Sequence, residues 1–294
     1  SMNCFKPRCP RSNCQETFSI RKDGTYFRKN DSRKVQRYKC VKCGTKFSRA
    51  TFQLEYRQKK RRVNFPLFKL LVSQVSQRRC ALILGLNKNT VARKFDYLAK
   101  KYGLKNQRWL KGLATGSIDL VQLDDLITIE HTKLKPVTVA TLVDATNRQI
   151  LGFQVGKIPA FGHLAHISRR KYGKRENQHL EVLERLFEKT KSVLNPNALI
   201  VSDQHKNYPD VIKKYLPQST HQTHRSERGR IDAQGELKRV EFDPLFAINH
   251  TYAMMRANIN RLIRKTWCTT KSVTMLQQHL ELYMWFHNQV LIKQ

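Results

Sequence analysis

A mixed α/β chain, with a small cysteine-held ribbon first, a helical segment next and a larger mixed sheet last, is predicted by three features of the sequence. Two pairs of cysteines stand within the first fifty residues. A helical apolar period broken by one glycine runs from 75 to 98, and runs of β-branched residues begin at Ile118. The boundaries these features suggest are 1–50, 51–116 and 117–294.

The ribbon comes from Cys9 and Cys14 in CPRSNC and from Cys40 and Cys43 in RYKCVKCGTKFS. Two short loops that each supply two thiolates can be closed by a tetrahedral zinc ion, which gives folding energy to a segment too small for its own core. Gly44 permits the tight turn after the second pair. The gap in the first pair is wide, and Cys4 nearby is an alternative ligand. Between the pairs lie Arg21, Lys22, Arg28, Lys29, Arg33, Lys34 and Arg37, with Tyr26, Phe27 and Tyr38 among them.

In the helical segment, the run RQKKRR at 57–62 precedes VSQRRCALILGLNKNTVARKFDYL at 75–98. Cys80, Ala81, Ile83 and Leu84 make an apolar face, Gly85 breaks it, and Asn87 can cap a second helix carrying Val91, Phe95 and Leu98. This is a helix-turn-helix pattern. Its second helix would present Lys88, Asn89, Thr90, Arg93 and Lys94 outward, the residue types that reach phosphates and base edges in a major groove. An ordinary helical pair with a solvated charged face fits the same spacing.

From Ile118 the strands read IDLVQLDDLITIE, VTVATLVD and QILGFQV, followed by a helix over 179–194 and the strand ALIVS that ends before Asp203. Strand, strand, strand, helix, strand is the RNase H-like order. In it an acid in the middle of the first strand and one after the fourth approach each other. Asp124 and Asp125 both sit in an apolar strand, where a charge is costly unless paired or metal-bound. Alternation allows at most one of them to face the site, without saying which. Asp203 alone could equally be a turn residue.

Charge decides the partner. The 294 residues hold 56 lysines and arginines against 22 acids, a net +34, with 40% hydrophobic residues. Such a field excludes an ordinary enzyme for a small substrate and points to a polyanion, which the helix-turn-helix pattern would narrow to double-stranded DNA. The hydrophobic share excludes disorder throughout. No apolar run approaches the roughly 18 residues of a spanning helix, and no signal-peptide core is present, so a cytoplasmic protein with no membrane partner is expected.

CPRSNC with RYKCVKCGTKFS, the pattern at 75–98, VQLDDL at 121–126, VSDQHKNY at 201–208 and MRANINRLIRKTWCTTKS at 255–272 together resemble bacterial insertion-sequence transposases of the Asp-Asp-Glu type that begin with a zinc ribbon and helix-turn-helix. The resemblance implies Asp124 and Asp203 as the first two catalytic carboxylates, binding Mg²⁺ or Mn²⁺. It implies a nucleoid-associated bacterial protein that assembles on DNA as a homodimer or higher oligomer. The third position departs from the family pattern: the register of its glutamate, seven residues before Arg256, falls on Asn249. An amide oxygen can coordinate a hard cation but brings no charge. His250 beside it, or Glu236, Glu241 and Asp243 upstream, are alternatives. A helix carrying Arg256, Asn260 and Arg264 at four-residue spacing, with Arg261 and Lys265 beside them, would lay a basic stripe along the DNA.

The expected reaction is metal-dependent cleavage at the 3′ ends of the element followed by strand transfer. An inactive transposase-derived regulator and an RNase H-like structure-specific nuclease are the alternatives. The basic segments at 166–177 and 223–230 are expected to be loops that order on DNA, and most histidines to lie in loops or on polar faces.

Overall fold

Fifty residues are too few to enclose a core, and the N-terminal segment instead forms a three-stranded antiparallel sheet, β1 (Ile20–Arg28), β2 (Arg33–Cys40) and β3 (Lys46–Ser48), in the order β1-β2-β3. The computed structural model describes residues 5–29, 32–225, 243–263 and 267–293. Tyr38 of β2 stacks on Phe47 of β3 with ring centroids 5.8 Å apart, and Phe5 and Phe52 extend this small aromatic cluster.

Three helices follow: α1 (Asn64–Leu71), α2 (Gln77–Ile83) and α3 (Lys88–Lys111). Local chemistry sets their ends as expected. The Ser76 hydroxyl accepts from the Arg79 N–H at α2, Asn87 Oδ1 accepts from the Asn89 N–H at 2.8 Å at α3, and Gly85 turns the chain between them at φ +59°. Leu67, Phe68, Leu71, Cys80, Ala81, Val91, Phe95 and Leu98 bury the shared face. Ile83 does not join them; it is 61% exposed beside the exposed Leu82. The third helix runs past Leu98 because Tyr102 and Asn106 continue its buried stripe, the Asn106 amide donating to the Glu281 carbonyl at 2.9 Å.

Lys94 corrects the expected DNA-facing set. It is only 3% exposed. Its ammonium donates inward to the carbonyls of Lys59 and Lys60, each at 3.1 Å, and to Asn64 Oδ1 at 2.7 Å, so it ties the RQKKRR segment to α3. Burial, with the charges of Arg61 and Lys60, pushes its pKa down.

The larger sheet is mixed and five-stranded: β4 (Ile118–Glu130), β5 (Thr132–Asp144), β6 (Ile150–Lys157), β7 (Leu194–Ser202) and β8 (Thr220–Thr223), ordered β6-β5-β4-β7-β8. β4, β5 and β6 form an antiparallel meander, and β7 and β8 add in parallel to β4. Helices α4 (Leu164–Tyr172), α5 (His179–Thr190), α6 (Tyr208–Tyr215), α7 (Phe246–Asn258) and α8 (Val273–Gln289) complete the described chain. One sheet face packs Val121, Leu123, Ala140 and Leu142 against Val182, Leu183, Leu186 and Phe187 of α5 and Val211 and Ile212 of α6. The other packs Leu126, Val137, Val139 and Val143 against Ile248, Tyr252 and Met255 of α7 and Leu280 and Tyr283 of α8. Helix α5 rides close on β6: a Cβ on Gly156 would come within 2.3 Å of a Val182 methyl. The outer backbone of β6 is covered by α8, where the Asn288 amide accepts from the Ile150 N–H at 2.9 Å and donates to its carbonyl at 2.8 Å.

Four expectations change. The helix expected to reach 194 ends at Thr190, and Leu194 already belongs to β7. The segment at 166–177, expected as a loop, is largely helix α4, held when the Ser168 hydroxyl donates to the Leu134 carbonyl at 2.7 Å and stopped at Gly173, φ +74°. Several histidines are core residues: His179, His279 and His287 are buried. Finally, α7 stops at Asn258, because Gln74 caps it from a distant loop, its N–H donating to the Asn258 carbonyl at 2.9 Å. The four-residue stripe is therefore broken. Asn260 is buried, and the Arg261 guanidinium lies over the Phe95 ring, 5.8 Å from its centroid. Arg264 and Lys265, like Cys4, Glu236, Glu241 and residues 226–230 of the second basic segment, lie outside the described residues. Among the described residues no helix is long and apolar enough to cross a membrane.

His279 joins α8 to α1, its Nε2–H donating to the Leu71 carbonyl at 2.8 Å. Burial and the Arg261 charge push its pKa down from 6.5 to about 4. A depressed histidine pKa means the unfolded chain takes up a proton that the folded chain refuses. Stability is then full above pH 6.5 and falls as pH drops toward 4, by about 3 kcal/mol for a shift of this size. We expect His279→Gln, which keeps an N–H donor, to flatten the denaturation free energy against pH in that window; parallel curves for both proteins would contradict this role.

Candidate functional site

Two neighbouring residues of β4 have opposite fates. Odd-numbered positions Val121 and Leu123 belong to the α5–α6 face, so Asp125 points there, while Leu126 belongs to the α7–α8 face, on the same side of the strand as Asp124. Asp125 is fully occupied. Its Oδ2 accepts from His179 Nε2 and from the Tyr208 hydroxyl, both at 2.6 Å, and its Oδ1 accepts from the Thr138 hydroxyl. Burial opposes its charge, but the bonds from His179, Thr138 and Tyr208 outweigh that and hold its pKa below the usual carboxylate range.

The same network extends to the chain after β7. The Asn207 amide donates to His179 Nδ1 at 2.9 Å, which leaves Nε2 as the proton-bearing nitrogen toward Asp125. The His205 ring packs on His179 with centroids 4.2 Å apart, and the His205 N–H donates to Asp203 Oδ1 at 3.1 Å. Asp203 is thus a turn residue, and its turn is anchored to Asp125 by its neighbours.

Asp124 stands on the other side. Leu123 is in register with Ser202 across the parallel β4–β7 pair, and the two aspartates are the next residues of their chains. Burial, opposed by the Asp125 N–H and then reinforced by the charges of Asp203 and Asp125, pushes the Asp124 pKa up to about 7; Arg256 acts in the opposite sense. Asp124, with the Asp203 charge and an arginine near it, offers carboxylate oxygens, hard donors of the kind that divalent cations take.

Helix α7 packs on β4 beside Asp124. Gln122, two residues before Asp124 on the same face, accepts from the Ile248 N–H and donates to the Pro244 carbonyl, each at 2.9 Å. The Tyr252 hydroxyl donates to the backbone carbonyl of Asp124. Asn249 shares a helix face with Tyr252 and Arg256, three and seven residues on. It is exposed, and its amide donates to Asp243 Oδ2 at 2.9 Å. His250 turns elsewhere, with Nδ1 3.5 Å from an Arg148 guanidinium nitrogen in the β5–β6 turn.

The four cysteines meet as well. The sulfurs of Cys9, Cys14, Cys40 and Cys43 all lie within 4.8 Å of one another, with Cys9–Cys43 at 3.5 Å and Cys14–Cys40 at 3.8 Å. A tetrahedron with Zn–S bonds of about 2.3 Å has edges of roughly 3.8 Å, so the cluster can take a metal ion such as zinc. Hydrogen bonding with Thr45 pulls the Cys43 pKa down to about 6, whereas burial pushes that of Cys9 up to about 12. Among the described residues this is the sole close group of three or more metal-ligating His, Cys, Asp or Glu side chains.

Of the remaining expected DNA contacts, Lys88, Asn89 and Arg93 are exposed, and Thr90 and Arg256 partly so. Sequence reading passed over Gln122, His179, Asn207, Tyr208 and Tyr252. The one available signal was the polar run QHKNY directly after Asp203. Compared with known proteins, the chain matches no family model and no curated sequence.

The two aspartates are separable by stability. Asp125→Ala leaves a buried histidine and tyrosine without their acceptor and is expected to cost about 3–5 kcal/mol in urea denaturation. Asp124→Asn, which removes a raised and repelled carboxylate, is expected to cost nothing or to stabilise in metal-free buffer. Equal losses in the two variants would contradict the assignment of faces.

Proposed function

We propose that the protein is a DNA transposase whose catalytic centre is Asp124, Asp203 and Asn249, with an RNase H-like sheet domain behind a zinc ribbon and a helix-turn-helix. The observation that carries this reading is the placement of Asp124 on β4 beside Asp203, the residue after the neighbouring parallel strand β7, whose charge helps to raise the Asp124 pKa, in a chain of net charge +34. In a protein with only 22 acids, a buried carboxylate near Arg256 with a second one beside it supports a role for the pair in binding cations. The sheet order β6-β5-β4-β7-β8, with three antiparallel strands and two added in parallel, is consistent with the RNase H-like class.

Asp124 and Asp203 would hold the divalent ions, Mg²⁺ or Mn²⁺, and Asn249 would supply a neutral third oxygen; bound there, such ions align the attacking and leaving oxygens and neutralise the charge that builds on the phosphate. Asp125 keeps Asp203 in place through His205, Asn207 and Tyr208. Tyr252 grips the Asp124 backbone, and Arg256 offsets the local negative charge. Zinc on Cys9, Cys14, Cys40 and Cys43 would close the N-terminal sheet. Lys88, Asn89, Thr90 and Arg93 form the groove-facing part of α3, while Lys94 serves to brace it. Asn260 and Arg261 are packing residues in this reading.

Incubation with duplexes bearing the inverted repeats of its element and Mg²⁺ should give 3′-end cleavage and strand transfer. Asp124→Ala and Asp203→Ala should each abolish both, a loss of at least about 10³-fold, with duplex affinity retained. Cleavage that survives in either variant would sink the assignment, and binding without cleavage by the unaltered protein would mark it as a transposase-derived regulator.

A further inference from the structure

A neutral ligand has a weakness that a carboxylate lacks. Either end of a primary amide can face a cation, and only the oxygen binds it. Asn249 is exposed, so packing does not choose its orientation. Its neighbour does. The carboxylate of Asp243 can only accept, so the contact of 2.9 Å between its Oδ2 and the Asn249 amide is made by Nδ2, which turns the Asn249 oxygen away.

Other hydrogen bonds fix Asp243 and the first turns of α7 relative to Asp124. Asp243 is itself tied down, its Oδ1 accepting from the Leu245 N–H at 3.0 Å and its carbonyl from the Phe246 N–H, also at 3.0 Å. The turn of chain between Asp243 and Asn249 is pinned to β4 by Gln122, on the strand face of Asp124. Along α7, Asn249 lies on the face of Tyr252, which reaches the Asp124 carbonyl. His250, by contrast, is turned toward Arg148.

We infer that Asp243 is a positioning residue for the proposed metal centre: it holds the Asn249 amide with its oxygen toward Asp124 and Asp203, and so lets an uncharged residue serve where the related transposases use glutamate. This rests on the reading of Asn249 as third ligand. Partners that orient a metal ligand typically change affinity by about 10- to 100-fold when removed. A carboxylate at 249 would need no such orientation, because both of its ends are oxygen. It would also repel Asp243.

The test is Mn²⁺ binding to the full-length, zinc-loaded protein, followed by the loss of the free-ion EPR signal, alongside thermal unfolding. Asp243→Ala is expected to weaken Mn²⁺ binding by about tenfold with the unfolding midpoint nearly unchanged. In the Asn249→Asp background the same substitution should leave binding unchanged or tighten it. That reversal is the signature of orientation, since a role limited to the start of α7 would weaken both backgrounds alike, and that outcome would overturn the inference. If Asn249→Ala weakens binding but Asp243→Ala does not, the inference fails and the proposed centre survives. If Asn249→Ala also binds Mn²⁺ as the unaltered protein does, both fail.

Discussion

A carboxylate buried in a sheet must be satisfied where it stands, and the bonds that satisfy Asp125 organise the domain around it. Thr138 comes from β5, His179 from the first turn of α5, and Tyr208 from the first turn of α6. Asn207 joins through His179, and His205 packs beside it. One acid thus links a neighbouring strand, two helices and the turn that carries Asp203. Its position also fixes its neighbour. With Asp125 committed to one face, the pleat turns Asp124 to the other.

The site is assembled by polar contacts across elements, with the hydrophobic cores setting only the layers. Close packing of α5 on β6 brings His179 to the sheet, and Gln122 and Tyr252 set the height of α7 on β4. The energetic roles divide accordingly. Asp125, well bonded, has its charge stabilised, while Asp124 is left with burial and a like charge against it. In the proposed reading an outside cation completes this locally unfavourable acid. The positive charge is divided in the same manner: Arg93 and Lys88 stay in solvent, whereas Lys94 and Arg261 are spent on internal packing.

What could be read from the sequence was what local chemistry decides. The strands from Ile118, the break at Gly85 and the cap at Asn87 follow from neighbours in the chain, and the convergence of four cysteines from their paired spacing. What could not be read depends on partners far away. Helix α7 ends at Asn258 because Gln74 caps it, although its own sequence would continue the helical period. Lys94 looks groove-facing by spacing and is buried because α1 and the basic run offer it three oxygens. Alternation in VQLDDL did not rank two adjacent aspartates, since both faces of β4 are covered, and only the resemblance preferred Asp124. His179 carried no local mark at all, as its partner lies on a strand more than fifty positions earlier.

The central claim is that Asp124 and Asp203 jointly hold the divalent ions on which phosphodiester chemistry depends. Its most direct measurement is the anomalous difference map of crystals of the protein with a duplex end and Mn²⁺. The account predicts a peak within about 2.0–2.6 Å of carboxylate oxygens from both aspartates, with the Asn249 side chain turned toward the metal centre. Peaks confined to other sites, with Asp124 and Asp203 free of metal at saturating Mn²⁺, would contradict it.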